Sequence, residues 1–142
     1  MRVPVPLIAD ESLISLPGAQ RIIEAKAFGL FNVRLSKCGG YARSQRFAAL
    51  AQEAGLTYSL GAMVGESPIL ANAGTALGAT LREQRYIQGH SHRLLHRTSF
   101  VDGAPVLRRG GRCQPNSGRG AGLRLHHKAL APLIQKRLDL TL

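Results

Sequence analysis

The sequence predicts an α/β fold: half of a parallel (β/α) barrel, followed by an irregular C-terminal tail that closes in a helix. Three observations predict it. Apolar runs of strand length recur, each run ends in polar residues or glycines, and a helix-patterned segment follows each one. The runs are Val3 to Ala9 leading into Asp10-Glu11-Ser12, Leu30 to Lys37 leading into Cys38-Gly39-Gly40, and Thr57 to Val64 leading into Gly65-Glu66-Ser67. In a TIM-like barrel each βα unit takes about 30 of roughly 250 residues, and polar groups at the strand C-termini share one mouth. A chain of 142 residues holds about half of that.

The elements follow in order. After the acids at residues 10 and 11, residues 13–27 carry Ile22, Ile23 and Ala27 at helical spacing. Ser15 is placed to cap that helix, Pro17-Gly18 lies in its first turn, and Gly29 is expected to end it. Residues 41–54 put Phe47, Leu50, Ala51 and Ala54 on one face and Arg43, Gln45, Arg46, Gln52 and Glu53 elsewhere, an amphipathic helix stopped at Gly55. Ser67-Pro68 opens a third helix over residues 69–81, so rich in Ala and Gly that it must pack closely. The order βαβαβα implies parallel strands with right-handed crossovers.

Beyond Gln84 the pattern loosens. Residues 85–89 read as one more short strand, 92–97 as a short helix or turn, and 100–107 as an extended piece broken at Asp102-Gly103. Residues 122–126 alternate like an edge strand, and 128–140 have the periodicity of a terminal helix, with Leu130, Leu133, Ile134 and Leu138 on one side. The chain therefore divides into residues 1–84, the half barrel, and residues 85–142, a last barrel segment with a basic extension.

Composition narrows the function classes. A hydrophobic content of 44% and a mean hydropathy near zero fit a globular protein. No stretch approaches the roughly 18 apolar residues of a spanning helix, and no secretory leader pattern opens the sequence, so the expected location is cytoplasmic, away from membranes. Cys38 and Cys113 have no partner at zinc-finger spacing and make no disulfide framework; both read as idle thiols. The net charge of +11 is uneven. Residues 1–81 carry seven Lys/Arg against five acids, and residues 82–142 carry twelve against three. Such a tail would attract nucleic acid or another acidic surface. Against a nucleic-acid partner, Phe100 is the only Phe, Tyr or Trp beyond Ile87, so stacking platforms are missing.

The runs "PLIADES", "FNVRLSKCGG" and "GAMVGESPILANAG" resemble the C-terminal half of the barrel domain of the enolase superfamily, in its mandelate racemase and muconate-lactonizing branch. The stretch from Arg85 to Leu130 resembles more loosely the tail that runs back onto that family's capping domain. The resemblance implies an isomerase or lyase, a racemase or cycloisomerase, that abstracts a proton α to the carboxylate of a small substrate and stabilises the enolate with one Mg²⁺. It implies that Asp10 is the third of three metal carboxylates, which suits the hard oxygen ligands that Mg²⁺ takes. The residue reading beside it is a turn that caps the next helix. Glu11 would orient the strand end or pair with the group on the next strand.

The resemblance also places Arg34 where many relatives carry a lysine acid/base. Arginine stays protonated, so Arg34 is expected to hold a carboxylate or stabilise an enolate. If the strand continues to Lys37, period-two alternation sets residues 34 and 37 on opposite faces and leaves Lys37 a loop residue near the mouth. Glu66, after the third strand, falls where the family often has an acid near substrate. His90, His92 and His96 lack the context of a metal motif and are expected to be exposed, and His126-His127 to be without a role.

The family's capping domain, first barrel half and two of its metal ligands have no counterpart in this sequence. The expectation is a C-terminal portion that is inactive alone. The alternatives are a half-barrel module that assembles with a copy of itself or with an N-terminal half, and a basic binder of nucleic acid or acidic surfaces.

Overall fold

In the computed structural model residues 5–95 and 99–136 are described. Three parallel strands, β1 (Ile8–Ala9), β2 (Leu30–Arg34) and β3 (Thr57–Gly61), lie in that order in one sheet. Ile8 pairs with Leu30, and β2 pairs with β3 from Leu30↔Thr57 to Arg34↔Gly61. The segment expected as one more strand adds to the far edge of β3. Leu60 and Ile87 form a parallel bridge, with the Leu60 N–H on the Tyr86 carbonyl at 3.0 Å and the Gln88 N–H on the Leu60 carbonyl at 2.8 Å.

The connecting helices are α1 (Leu16–Ala25), a four-residue turn α2 (Leu35–Cys38), α3 (Tyr41–Glu53) and α4 (Pro68–Thr80). Serine caps start α1 and α4. Ser15 Oγ accepts the Gly18 N–H at 3.1 Å, Ser67 Oγ accepts the Leu70 N–H at 3.2 Å, and a proline sits in each first turn. Helix α1 stops earlier than expected. Lys26, not Gly29, turns left-handed at φ 51° and closes it through the Ile23 carbonyl.

Two strands are also shorter than their apolar runs. The run from Leu30 yields to helical turn α2 after Arg34, and the run from Thr57 ends at Gly61. Apolar residues beyond those points had suggested continuation. The first run begins in residues 1–4, which lie outside the described residues.

The core lies between the sheet and its helices. Ala9, Phe31, Val33, Tyr58 and Leu60 face Leu13, Ala19, Cys38, Phe47, Ala48, Ala51 and Leu77. Alternation along β2 then sends Asn32 and Arg34 to the opposite face, which carries the polar groups. Small residues let α4 approach closely, as expected: a side-chain carbon on Gly78 would lie 3.3 Å from Leu60 Cδ1.

The C-terminal portion is a two-stranded antiparallel ribbon with short turns. Strands β4 (Val101–Asp102) and β5 (Arg124–Leu125) pair, and helix α5 (His92–Leu95) precedes them. The expected terminal helix is represented by α6 (His127–Leu130) and a 3₁₀ turn, Ala131–Leu133. The helix does not continue as expected: Pro132 sits in the 3₁₀ turn, Ile134 is extended at ψ 111° and residues 134–136 are not helical, while residues 137–140, with Leu138, lie outside the described residues, as does His96. Neither cysteine is in a disulfide. Among the described residues no helix is long and apolar enough to cross a membrane.

Phe47 is fully buried between α3 and the sheet. Phe47→Ala is expected to lower unfolding stability by about 3–5 kcal/mol, read from urea denaturation, because the cavity adds to the lost transfer free energy.

Candidate functional site

The polar groups at the C-terminal ends of β1 and β2 converge on one carboxylate. Asp10 follows β1 directly. Its Oδ2 is ion-paired with the Arg34 guanidinium and accepts the Asn32 amide N–H at 2.9 Å, and its Oδ1 lies 2.8 Å from Lys37 Nζ. Lys37 also donates to the Asp10 carbonyl at 2.5 Å and to the Asn32 carbonyl at 3.1 Å. Glu11 approaches the same guanidinium, 3.1 Å from Nη1, so it pairs with the group on the next strand.

Local chain geometry makes this convergence. Because β2 ends at Arg34, α2 rotates Lys37 back over the strand end and onto the side that Arg34 occupies. The strand alternation that would separate residues 34 and 37 stops before it can act. Asn32 is the member of the site that the sequence reading did not name, and Lys37, expected as a loop residue near the mouth, is brought directly onto Asp10. The short Lys-Cys-Gly-Gly stretch, whose Gly39 closes the turn at φ 86°, was the signal that a strand could not run through. Gly61, paired with Arg34, leaves the room Asn32 needs: a side-chain carbon there would collide with Asn32 Oδ1.

Burial raises the proton affinity of Asp10, but hydrogen bonds from Lys37 and Asn32 and the Lys37 charge overcome it. The carboxyl falls from 3.8 to about 2 and is ionised at neutral pH. Glu66 behaves in the opposite way. It is half-buried, and desolvation pushes its carboxyl up although the Met63 N–H approaches Oε2 at 3.4 Å. Met63 also bridges to the first group, its thioether 3.4 Å from Arg34 Nη1. Asp10, Arg34, Glu11 and Lys37 thus form one cluster, and Glu66 reaches it through Met63.

The donor set does not match Mg²⁺ as arranged. Two cations already occupy the Asp10 carboxylate, and among the described residues no three His, Cys, Asp or Glu side chains come together as a metal site would require. The histidines differ from expectation. His92 is buried and His90 half-buried, while Nε2 of His126 is 2.6 Å from Asp102 Oδ2 across the ribbon.

Comparison with known proteins bears on these groups. The sequence matches the model of the enolase C-terminal domain-like family over residues 1–129. It is 40% identical over 75 residues to the L-amino acid-D/L-Glu epimerase of Francisella philomiragia, covering 51% of this chain and 21% of that protein. It is 34% identical over 102 residues to the L-Ala-D/L-Glu epimerase of Clostridium acetobutylicum, covering 72% and 28%. The muconate lactonizing enzyme of Pseudomonas putida superposes with a TM-score of 0.83 at 28% identity, over 92% of this chain and 36% of that one. The dipeptide epimerase of Cytophaga hutchinsonii, solved with Mg and D-Ala-L-Val, shares the fold at a TM-score of 0.80 and 24% identity, over 90% and 34%. The matched stretch thus spans less than a third of the length of the two curated epimerases.

The lowered Asp10 carboxyl has a consequence for acid stability. Its ionised form is the one that folding favours, so the contribution is complete above pH 3.8 and is lost as pH falls through about 2. The stability gap between the native chain and Asp10→Asn, followed by urea unfolding at stepped pH, is expected to narrow across that window; a constant gap contradicts the assignment.

Proposed function

Because the chain belongs to the enolase C-terminal domain-like family, we propose that it is the C-terminal half-barrel portion of a racemase, epimerase or cycloisomerase acting on small carboxylates, and that it does not turn substrate over alone. Residues 1–84 supply half of the TIM-like barrel, and residues 85–142 supply its last segment and a basic extension. The observation that carries the reading is Arg34 at the end of β2, its guanidinium on the carboxylates of Asp10 and Glu11.

A guanidinium stays protonated throughout the working pH range and cannot take an α proton from a weak carbon acid. It is suited to holding a carboxylate through two parallel N–H donors. Arg34 and Lys37 are thus assigned to carboxylate binding, with a substrate carboxylate competing for the cations that now hold Asp10. Glu66, which keeps its proton more tightly than an exposed glutamate, is the group assigned to proton handling beside them. Asp10 is assigned as one carboxylate of a metal site whose remaining ligands another segment or chain would have to bring. Those ligands would also have to draw Asp10 away from Arg34 and Lys37.

Two readouts test this. Incubated in D₂O with Mg²⁺ and L-Ala-L-Glu, the chain is expected to give no α-proton exchange above background by NMR. Succinate is expected to bind, and Arg34→Met to weaken that binding about tenfold, the loss of one charge-assisted pair. Exchange that disappears in Glu66→Gln, or succinate binding unchanged in Arg34→Met, overturns the reading.

A second reading is favoured by the sheet edges. Among the described residues β1 has a neighbour on one side only, and Val5, Leu7 and Ile8 at that edge are exposed, as are Tyr86 and Ile87 at the other edge. Open parallel edges with apolar flanks invite pairing. If a copy of the chain closes them, light scattering on the purified protein will give a multiple of 15.3 kDa, whereas a monomer requires another partner or none.

A further inference from the structure

Residues 99–136 carry seven Lys/Arg, five of them arginines, against one acid, Asp102, whose carboxylate lies on His126. Among the described residues none of those seven cations is in an ion pair, and all seven are exposed. Cations left unneutralised along one segment make a surface that attracts polyanions.

The structure gathers four of the arginines on two turns. In the first, the Arg108 N–H donates to the Arg112 carbonyl at 2.8 Å and the Gly111 N–H to the Arg108 carbonyl at 3.1 Å, so Arg108, Arg109 and Arg112 share one closed loop. In the second, the Gly122 N–H donates to the Arg119 carbonyl at 3.1 Å. Asn116 Nδ2 donates to the carbonyls of Gly103 and Gly122 at 2.7 and 3.1 Å, which fixes that turn to the ribbon. Arg108 and Ser117 line one open groove of about 280 Å³, so the two turns are neighbours.

Glycine keeps both turns accessible. Gly110, Gly111 and Gly120 have φ of 77°, 73° and 60°, which glycine adopts without strain, and nothing lies within 4 Å of where a side-chain carbon would stand on them. A ligand can therefore reach the backbone between the arginines. Arg-Arg-Gly-Gly-Arg followed by Gly-Arg-Gly is the composition of arginine–glycine segments that bind single strands. Phe100 is the one Phe, Tyr or Trp of residues 99–136 and is buried, so base stacking falls to the guanidinium planes, which also fork onto phosphate oxygens.

We propose that the two turns form a binding surface for single-stranded nucleic acid, held through its phosphates and by stacking of bases on arginine, with little choice of sequence. The surface shares no residue with the Asp10 cluster and does not rest on the isomerase reading.

Fluorescence anisotropy of a labelled oligouridylate of about 16 nucleotides, titrated with the full chain between about 50 and 200 mM KCl, tests it. Binding is expected to weaken with salt. The triple variant Arg108→Gln, Arg109→Gln, Arg112→Gln is expected to flatten the slope of log K against log salt by about 2, since each single-strand phosphate contact contributes about 0.7. The variant Arg21→Gln, Lys26→Gln, Arg46→Gln, with the same charge loss on α1 and α3, keeps the slope. The variant Arg108→Lys, Arg109→Lys, Arg112→Lys also keeps it but binds about fivefold more weakly, because the stacking planes are gone. All substituted residues are exposed, and an unchanged urea midpoint checks that each variant is folded. No binding at the lower salt, or an equal loss of slope in the two glutamine variants, overturns the proposal. So does full affinity in the lysine variant, or displacement of the oligouridylate by poly-L-glutamate as readily as by unlabelled oligouridylate.

Discussion

The Asp10 carboxylate holds together the parts of this molecule that the backbone alone would leave loosely joined. β1 is only two residues long and lies at the edge of its sheet, so its own ladder contributes little. What ties its end to β2 is a set of charge-assisted bonds from Arg34, Lys37 and Asn32 onto one carboxylate. The side chains of Arg34 and Lys37 are 16% and 12% exposed, which keeps solvent from screening the pairs. By contrast, Arg46 and Glu53 on the outer face of α3 are more than half exposed, and such a pair is worth about 0–1 kcal/mol.

The same interaction constrains the chemistry. A carboxylate that already carries an arginine and a lysine is not a free ligand for a divalent ion. A metal can win it only if other carboxylates arrive with the metal and the two cations find new anions. The cluster therefore joins the ends of β1 and β2 through one set of charges, and the side chain at residue 34 is a guanidinium, which does not serve as a base.

Burial is the largest influence on Glu66 and on His90. Desolvation raises the first and lowers the second, so both tend toward their neutral forms, while Asp10 is held ionised by direct donors. Direct donors thus pull the Asp10 carboxyl in the opposite direction from that in which burial pushes Glu66.

The sequence by itself determined the parallel α/β pattern, the serine caps of α1 and α4, the amphipathic face of α3 and the placement of Asp10 at the end of the first strand. Each of these is local: caps act within three residues, and helical and strand periods act within one element. Only the tertiary structure decided that β2 stops at Arg34, that Lys37 swings onto Asp10 and that His92 is buried. Those outcomes depend on where a neighbouring strand or helix takes over a backbone bond or a charge. No spacing along a single segment encodes an interaction between residues more than twenty positions apart.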